Sequence, residues 1–367
     1  MSHSNFKRLR LIDLFSGIGG FSLALKDVCD PVLFCDSNVN CQNVLRERFP
    51  PSVPIHDEVY KLETKQSADV ICAGFPCQDV SIMNRNGKGI FGHRSSGVLE
   101  VLRIAKSTKA PIVILENSPQ IQYRGLETII SALNDIGYDN VEWDIFSASD
   151  QGAPHERKRF YLIAVRDVKK NCNKLIFMNS FIRNTIVSKK PYWKQYKSPV
   201  RVIPKTDESV KDIKTRGFLL GNSIVPQCAR FACYMLTCRI LSKIYAHYLC
   251  TIKSTFSPTD PLEYTINLDI PTKKMIKPGG KKTYTKNKWS TPLAARWSAT
   301  KIGSERASRI LSNQILYEIN TQKYMKSCGK SNVDAWVVNP EFIEWMMGYP
   351  LGWTSRHLPT PYSSFHL

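Results

Sequence analysis

The feature that most constrains the fold is a repeated alternation between short apolar runs and segments of helical or loop character. Runs typical of buried strands occur at residues 9–15, 31–35, 68–72, 110–115, 141–146 and 160–165. A third, shorter element ends near residues 56–59. Apolar strands that alternate with helices are typical of a parallel sheet covered on both faces. The sequence therefore predicts an α/β fold with a doubly wound, mostly parallel sheet.

The strand at residues 68–72 (ADVIC) leads to a cysteine in an unusual position. Gly74 and Pro76 favour a tight turn directly before Cys77. The turn would leave the Cys77 thiol at the carboxyl end of a strand, where open α/β sheets place their chemistry. A single cysteine is more often a small buried apolar side chain, so the interpretation of Cys77 depends on its neighbours.

The first strand runs into a glycine-rich turn, SGIGGFS at residues 16–22. Such glycines let the backbone approach a ligand closely before a helix begins. The dinucleotide fingerprint does not fit, because Ser22 occupies the position of its third small residue. The second strand ends at Asp36, which is placed either to bind ribose hydroxyls or to cap a helix over residues 39–49.

The net charge indicates the kind of partner. The chain carries 51 Lys and Arg against 31 Asp and Glu, a formal charge of +20. This excess favours a polyanionic partner, and nucleic acid first, over a merely basic surface. A long polar loop at residues 82–97 adds glycines and basic side chains directly after the Cys77 turn. Loops of this length inside α/β domains are usually functional.

Composition argues against several classes of protein. No apolar run reaches the roughly 18 residues of a membrane span, and the first residues lack the hydrophobic core of a signal peptide. Eleven irregularly spaced cysteines do not suggest a disulfide framework. An intracellular, reduced protein without a membrane partner is expected. No histidine or cysteine set has the spacing of a zinc site, so no metal is expected.

Five motifs, in order along the chain, resemble those of the cytosine-5 DNA methyltransferases. They are DLFSGIGGFS at residues 13–22, GFPCQDVS at 74–81, the pair Glu116-Asn117, the arginines Arg157 and Arg159 in APHERKR, and GNSIVP at 221–226. The resemblance implies the fold of methyltransferases that depend on S-adenosylmethionine. It also implies that this cofactor is the methyl donor and that the substrate is double-stranded DNA with its target cytosine flipped out.

The chemistry of these residues agrees with the resemblance. Carbon 5 of cytosine is a poor nucleophile, and a Cys77 thiolate that adds to carbon 6 would activate it. Glu116, at the end of an apolar strand, could protonate ring nitrogen 3, because burial raises the pKa of a carboxyl. Arg157 and Arg159 would bind the base carbonyl or a phosphate and favour the thiolate. The alternatives are Glu116 as a structural partner of an arginine, and one arginine as a surface charge.

The resemblance also assigns binding residues. The predicted cofactor contacts are Phe15, Gly17, Gly19, Gly20, Asp36 for the ribose, Asp57 or Glu58 for adenine, Pro76, Asn222 and Ser223. The predicted DNA contacts lie in the loop that would close over the flipped base, and they are Ser81, Arg85, Lys88 and Arg94. Two positions depart from the family pattern, with Asp36 where glutamate is usual and His155 where glutamine is common.

Residues 1–250 are predicted to form the catalytic and cofactor-binding domain, with a basic insertion at 166–216 that shows no clear period. A long helix is predicted from about Pro226. The interval 167–221 is too short for the usual target-recognition domain. Residues 251–367 are therefore predicted as a smaller C-terminal recognition domain. Its removal would leave cofactor binding measurable but abolish site-selective DNA methylation. Within it, NPEFIEWMMGYPLGW at residues 339–353 resembles the segment that often ends phage and viral members.

The predicted function is transfer of a methyl group from S-adenosylmethionine to carbon 5 of cytosine in double-stranded DNA, through a covalent Cys77 adduct. Two alternatives remain, a catalytically inactive DNA-binding relative and an RNA cytosine-5 methyltransferase. The intact Cys77, Glu116 and arginine pair argue against the first. A monomer is expected, with a restriction endonuclease as a possible partner.

Overall fold

A computed structural model describes residues 7–64, 66–76, 96–188, 192–255 and 336–355. Its centre is a seven-stranded sheet of order β3-β2-β1-β4-β5-β7-β6. The strands are β1 Leu9–Leu14, β2 Cys29–Cys35, β3 Ile55–His56, β4 Val70–Gly74, β5 Ile112–Asn117, β6 Tyr138–Ser147 and β7 Lys158–Arg166. Strands β1 to β5 pair in parallel, whereas β7 is antiparallel to both β5 and β6. The predicted fold class is confirmed.

Nine helices of the described part accompany these strands. They are α1 Gly20–Ala24, α2 Val39–Arg48, α3 Ser96–Thr108, α4 Leu126–Asp135, α5 Val168–Ser188, α6 Tyr192–Gln195, α7 Asp207–Asn222, α8 Pro226–Thr255 and α9 Pro340–Met346. The long helix predicted from Pro226 is confirmed. No helix in the described ranges is both long and apolar enough to span a membrane.

Side chains of the strands alternate between two apolar cores, one on each face of the sheet. Leu11 of β1 belongs to the core that α1, α2, α5, α7, α8 and α9 cover. Its neighbour Ile12 belongs to the core under α3 and α4. Because successive strand residues point to opposite faces, an uninterrupted apolar strand supplies both cores. This explains why the strands were recognisable from the sequence.

The basic stretch at residues 166–216 is more regular than the sequence analysis predicted. Most of it is helical, in α5 and α7. Leu175, Met178 and Ile182 of α5 are buried at helical spacing in the core that also contains α8, and Asn179 Nδ2 donates a hydrogen bond of 2.7 Å to Thr237 Oγ1 on α8. In the sequence these apolar residues are interspersed with lysines and asparagines, of which Lys169, Lys170, Asn173 and Asn184 are exposed on the outer face of α5.

The C-terminal residues 336–355 pack into the same body as residues 7–255. Strand β9 (Trp336–Val338) pairs antiparallel with β8 (Val202–Pro204). Glu344 of α9 is fully buried. It accepts hydrogen bonds from Arg216 Nη2 at 2.9 Å, Gly352 N at 2.6 Å and Thr354 N at 2.7 Å. A buried carboxylate requires such partners.

The described part of the predicted C-terminal domain contributes to the larger of the two cores, in which Phe342 and Trp353 lie. The domain boundary at residue 251 stays a prediction. Phe342, Tyr349 and Trp353 of this segment are fully buried core residues. Residues 256–335 lie outside the described part, and their role in recognition stays a prediction.

Candidate active site

The turn after β1 brings backbone to the carboxyl edge of the sheet. Phe15, Gly17 and Gly19 have positive φ angles of 52°, 53° and 79°. Ser16 N donates to Cys35 O at 3.0 Å and ties this turn to the end of β2. A Cβ atom added at Gly17 would meet no other atom within 4 Å. The turn therefore presents open backbone at Gly17, as a ligand site requires.

Gly19 and Gly20 are constrained by packing. A Cβ atom at Gly19 would lie 2.4 Å from Cε2 of Phe49, and one at Gly20 would lie 2.5 Å from the hydroxyl oxygen of Tyr349. Both distances are far below van der Waals contact, so only glycine fits at these two positions. The role of Gly19 and Gly20 in cofactor binding stays a prediction. Any contact with the cofactor would be made by their backbone atoms.

Asp36 lies beside this turn. Its carboxylate accepts hydrogen bonds from Gly17 N at 2.7 Å and from Asn38 N at 2.9 Å. Burial raises the pKa of Asp36, and these backbone donors partly offset the rise. The helix-cap alternative is wrong, because Asn38 is the N-cap of α2 and accepts from the backbone N–H groups of Asn40 and Cys41.

The remaining predicted cofactor contacts in the described part surround the same edge. Asp57 is exposed and Glu58 half-buried, directly after β3. Asp36 N donates to His56 O at 3.0 Å, which joins this edge to the Asp36 turn. Phe15 is half-buried, and Pro76 is exposed after β4. Which of these side chains contact the cofactor stays a prediction.

Cys77 and the predicted DNA contacts Ser81, Arg85, Lys88 and Arg94 lie outside the described residues. The backbone that leads to Cys77 is nevertheless fixed. Asn117 Nδ2 donates a hydrogen bond of 3.0 Å to Phe75 O, two residues before Cys77. The end of β4 is thereby held against the end of β5.

Glu116 occupies the end of β5, opposite Gly74 in the parallel register. A Cβ atom at Gly74 would lie 3.1 Å from Glu116 Oε2, so this glycine leaves room for the carboxyl group. Glu116 is only 8% exposed. Burial raises its pKa, while the charges of Arg159 and Arg157 lower it, and the net shift is upward.

The two predicted arginines have different partners. Arg159 Nε lies 3.2 Å from Glu116 Oε1. Arg157 is 4% exposed, has a φ of 28°, and donates from Nη2 to Gly221 O at 2.9 Å and to Ser223 O. Burial, followed by the charge of Arg159, lowers the pKa of Arg157 to about 9. Neither arginine is a surface charge.

Arg157 therefore holds the turn that carries two predicted cofactor residues. Asn222 is exposed at the end of α7, and Ser223 is buried with its Oγ donating to Leu220 O at 2.8 Å. These Arg157 bonds fix the backbone of the turn, since they go to the carbonyl groups of Gly221 and Ser223. The structure thus joins the arginine motif directly to the last motif of the chain.

Two buried titratable residues near the site were not among the predicted site residues. Asp13 accepts from Ser22 Oγ at 2.7 Å, and burial raises the pKa of Asp13 to about 7. His155 Nε2 lies 2.9 Å from Met346 O, and burial lowers the pKa of His155 to about 3. Asp13 stands out in the sequence as an acid inside an apolar strand. Nothing in the sequence pairs His155 with a residue so distant.

Comparison with known proteins decides the family. Residues 9–328 match the profile of the C-5 cytosine-specific DNA methylases. The chain belongs to this family. The methylase is 26% identical to Type II methyltransferase M.CviJI of Paramecium bursaria Chlorella virus IL3A, over 93% of this chain and 96% of that protein. This confirms the predicted resemblance.

Other relatives match a smaller part of the chain. Type II methyltransferase M.MspI of Moraxella sp is 36% identical over 44% of this methylase and 39% of its own length. M.HhaI of Haemophilus parahaemolyticus is 30% identical, over 49% of this chain and 55% of that one. Among solved structures, the S. pombe Dnmt2 methyltransferase covers 44% of this chain and 51% of its own at 24% identity, with a TM-score of 0.38.

Proposed function

We propose that Cys77, Glu116 and Arg159 carry out the reaction of this family, methyl transfer from S-adenosylmethionine to carbon 5 of cytosine in DNA. The observation that carries the proposal is the position of Glu116. Its buried carboxyl group has a raised pKa, pairs with Arg159 at 3.2 Å, and lies beside the strand end that leads to Cys77. A raised pKa favours the protonated form of the carboxyl group, which is the form that a general acid requires.

The chain's own residues account for the activation of the base. The Cys77 thiolate adds to carbon 6 of cytosine, and Glu116 donates its proton to nitrogen 3, so that no negative charge remains on the ring. Arg159 then stabilises the Glu116 carboxylate that this transfer leaves. After methylation, a solvent water takes the carbon 5 proton, and the electron pair of that C–H bond forms the 5,6 double bond and expels the thiolate. Nitrogen 3 then returns its proton to the Glu116 carboxylate, which restores the aromatic ring and the enzyme.

The residues at the carboxyl edge of β1 and β2 fit the methyl donor. The backbone at Gly17 is open, and the Asp36 carboxylate beside it is suited to ribose hydroxyls. Phe15, Asp57 or Glu58, Pro76, and the turn of Asn222 and Ser223 complete this proposed site. When bound, S-adenosylmethionine supplies an electrophilic methyl group on a sulfonium.

Target cytosine has to leave the DNA duplex before Cys77 can reach carbon 6. The loop that carries Ser81, Arg85, Lys88 and Arg94 is proposed to close over the flipped base and to contact phosphates. Residues 256–335 are proposed to read the sequence of the target. The chain acts as a monomer in this proposal, and the Type II names of its relatives favour a restriction endonuclease as partner.

The experiment incubates the purified chain with labelled S-adenosylmethionine and either duplex DNA or RNA, followed by bisulfite sequencing. A second duplex pool carries 5-fluorocytosine, whose fluorine cannot leave as a cation, so a covalent adduct with Cys77 accumulates. We expect label and adduct on DNA at one short sequence. Label on RNA alone would support the RNA alternative, and binding to DNA without label would support the inactive alternative.

A further inference from the structure

The segment of residues 348–355 packs against the glycine-rich turn at Ile18 and Gly20. Trp353 is completely buried, and its Nε1 donates a hydrogen bond of 2.9 Å to Ile18 O, between Gly17 and Gly19. Its ring also packs edge-to-face on Phe49, with centroids 5.9 Å apart. Phe49 in turn fills the space where a Gly19 side chain would be. The turn is thus held by residues more than 300 positions away in the sequence.

The turn needs such support because its backbone conformation is unfavourable. Phe15 adopts a φ of 52°, which L residues with side chains rarely do, and Gly17 and Gly19 also have positive φ angles. Backbone of this kind persists only where the surroundings fix it in more than one way. The Ile18 carbonyl would otherwise be a buried acceptor, and burying an acceptor without a partner is unfavourable.

Tyr349 gives the segment a second contact with the proposed cofactor site. Its hydroxyl donates to Ile224 O at 3.2 Å and lies directly against Gly20. The segment therefore bridges the glycine-rich turn and the turn that follows Asn222 and Ser223. Both turns carry proposed cofactor contacts, one from each end of the catalytic domain.

The segment is itself anchored from the opposite side. Arg48, at the end of α2, donates from Nε to Trp353 O and from Nη2 to Gly352 O, both at 2.7 Å. Arg48 is buried, and three further hydrogen bonds to Glu344 fix residues 352 and 354. Trp353 therefore cannot follow a displaced turn, and its indole N–H sets the position of Ile18.

We infer that Trp353 and Tyr349 are positioning residues for cofactor binding, holding the two turns in the conformation that receives S-adenosylmethionine. The inference rests on the proposed cofactor site at Gly17 and Asp36. It extends that site to a segment that lies outside the five family motifs described above. Neither residue touches the reacting atoms, and both act through the backbone of the turns.

The test is Trp353→Phe, which keeps an aromatic ring and removes the indole N–H. Trp345→Phe is the matched control, because Trp345 lies on the preceding helix α9 and its Nε1 donates to Tyr196 O at 2.9 Å, a bond that does not involve the glycine-rich turn. Calorimetry well below the melting temperatures should show the dissociation constant of S-adenosylmethionine about threefold to tenfold higher for Trp353→Phe. At saturating cofactor, kcat and the KM for DNA should stay at the wild-type values. Trp345→Phe should keep wild-type cofactor affinity.

Wild-type cofactor affinity in Trp353→Phe, or an equal loss in the control, would overturn the inference. Should Trp353→Phe fail to fold, Tyr349→Phe replaces it, since it removes only a hydroxyl group and its bond to Ile224 O. The same weakening of cofactor binding is expected there, and its absence would also overturn the inference. Failure of the wild-type chain to bind S-adenosylmethionine or methylate DNA would instead overturn the proposed function.

Discussion

Oε1 of Glu116 lies 3.2 Å from Nε of Arg159, and the two residues come from adjacent antiparallel strands, β5 and β7. Burial favours the protonated carboxyl group, and the guanidinium favours the ionised one. Because burial is the larger effect, the pKa of Glu116 is raised in the free chain. In the proposed mechanism, Arg159 stabilises the Glu116 carboxylate that remains once the proton has moved to the base.

Glu116→Gln removes the acidic proton and keeps the size of the side chain. We expect kcat to fall by about 10²- to 10⁴-fold, the usual contribution of general acid catalysis. Glu127→Gln is the control, because Glu127 is exposed in the first turn of α4. The measurement is single-turnover methyl transfer to duplex DNA. A Glu116→Gln rate close to that of the wild type would leave Glu116 as only a structural partner of Arg159.

Cys77→Ser is expected to fold and bind S-adenosylmethionine but to transfer no measurable methyl group, because serine is not ionised near neutral pH. The control is Cys172→Ser, which changes a half-buried thiol on α5 that is not among the proposed site residues. The measurement is adduct formation with 5-fluorocytosine DNA, which Cys172→Ser should show and Cys77→Ser should not. Turnover by Cys77→Ser at the wild-type rate would exclude Cys77 as the nucleophile.

Local sequence patterns predicted the parts of this molecule that local physics determines. Apolar runs predicted β1, β4 and β5. Asp36 and Glu116 were noticed because each is an acidic residue at the end of an apolar run. The partners of Arg157 could not be found in this way, because its bonds go to carbonyl groups, which every residue has. The buried position of Trp353 depends in the same way on Arg48 and Ile18, which are about 300 residues distant.

Asp36→Ala tests whether this acid serves the cofactor. We expect weaker binding of S-adenosylmethionine and a largely unchanged kcat at saturating cofactor, because the Asp36 carboxylate lies beside Gly17 and far from Glu116 in the strand order. The control is Asn38→Ala, which removes the actual cap of α2 and should cost about 1 kcal/mol of stability. Unchanged cofactor affinity in Asp36→Ala would remove Asp36 from the proposed site.

Truncation after residue 335 should abolish cofactor binding, contrary to the expectation from the sequence. The cut removes Trp353, Tyr349 and Phe342 from the core, and it also removes the Trp353 carbonyl that accepts from Arg48 and the Glu344 carboxylate that pairs with Arg216. The free energy of folding lost with these groups exceeds the total stability of a typical domain. Circular dichroism and calorimetry of the fragment provide the measurement. A folded fragment that binds S-adenosylmethionine would show that residues 336–355 are dispensable.

His155 makes the stability of the chain sensitive to acid. Burial, followed by the charge of Arg157, lowers the pKa of His155 from 6.5 to about 3. Between these two pH values the unfolded chain binds a proton that the folded chain excludes. Stability from the neutral His155 is therefore fully present above about pH 6.5 and is lost as the pH falls toward 3.

His155→Gln should remove this loss and keep the fold. Glutamine does not titrate, and its amide can donate to Met346 O, the partner of His155 Nε2. Between about pH 7.5 and pH 5 the wild-type chain should lose about 2 kcal/mol more stability than the variant, since one pKa unit corresponds to about 1.4 kcal/mol. Urea unfolding of both proteins at the two pH values gives this difference. His56→Gln, on an exposed histidine, is the control and should follow the wild type. Equal losses in the wild type and His155→Gln would mean that His155 titrates in the folded chain as it does when unfolded.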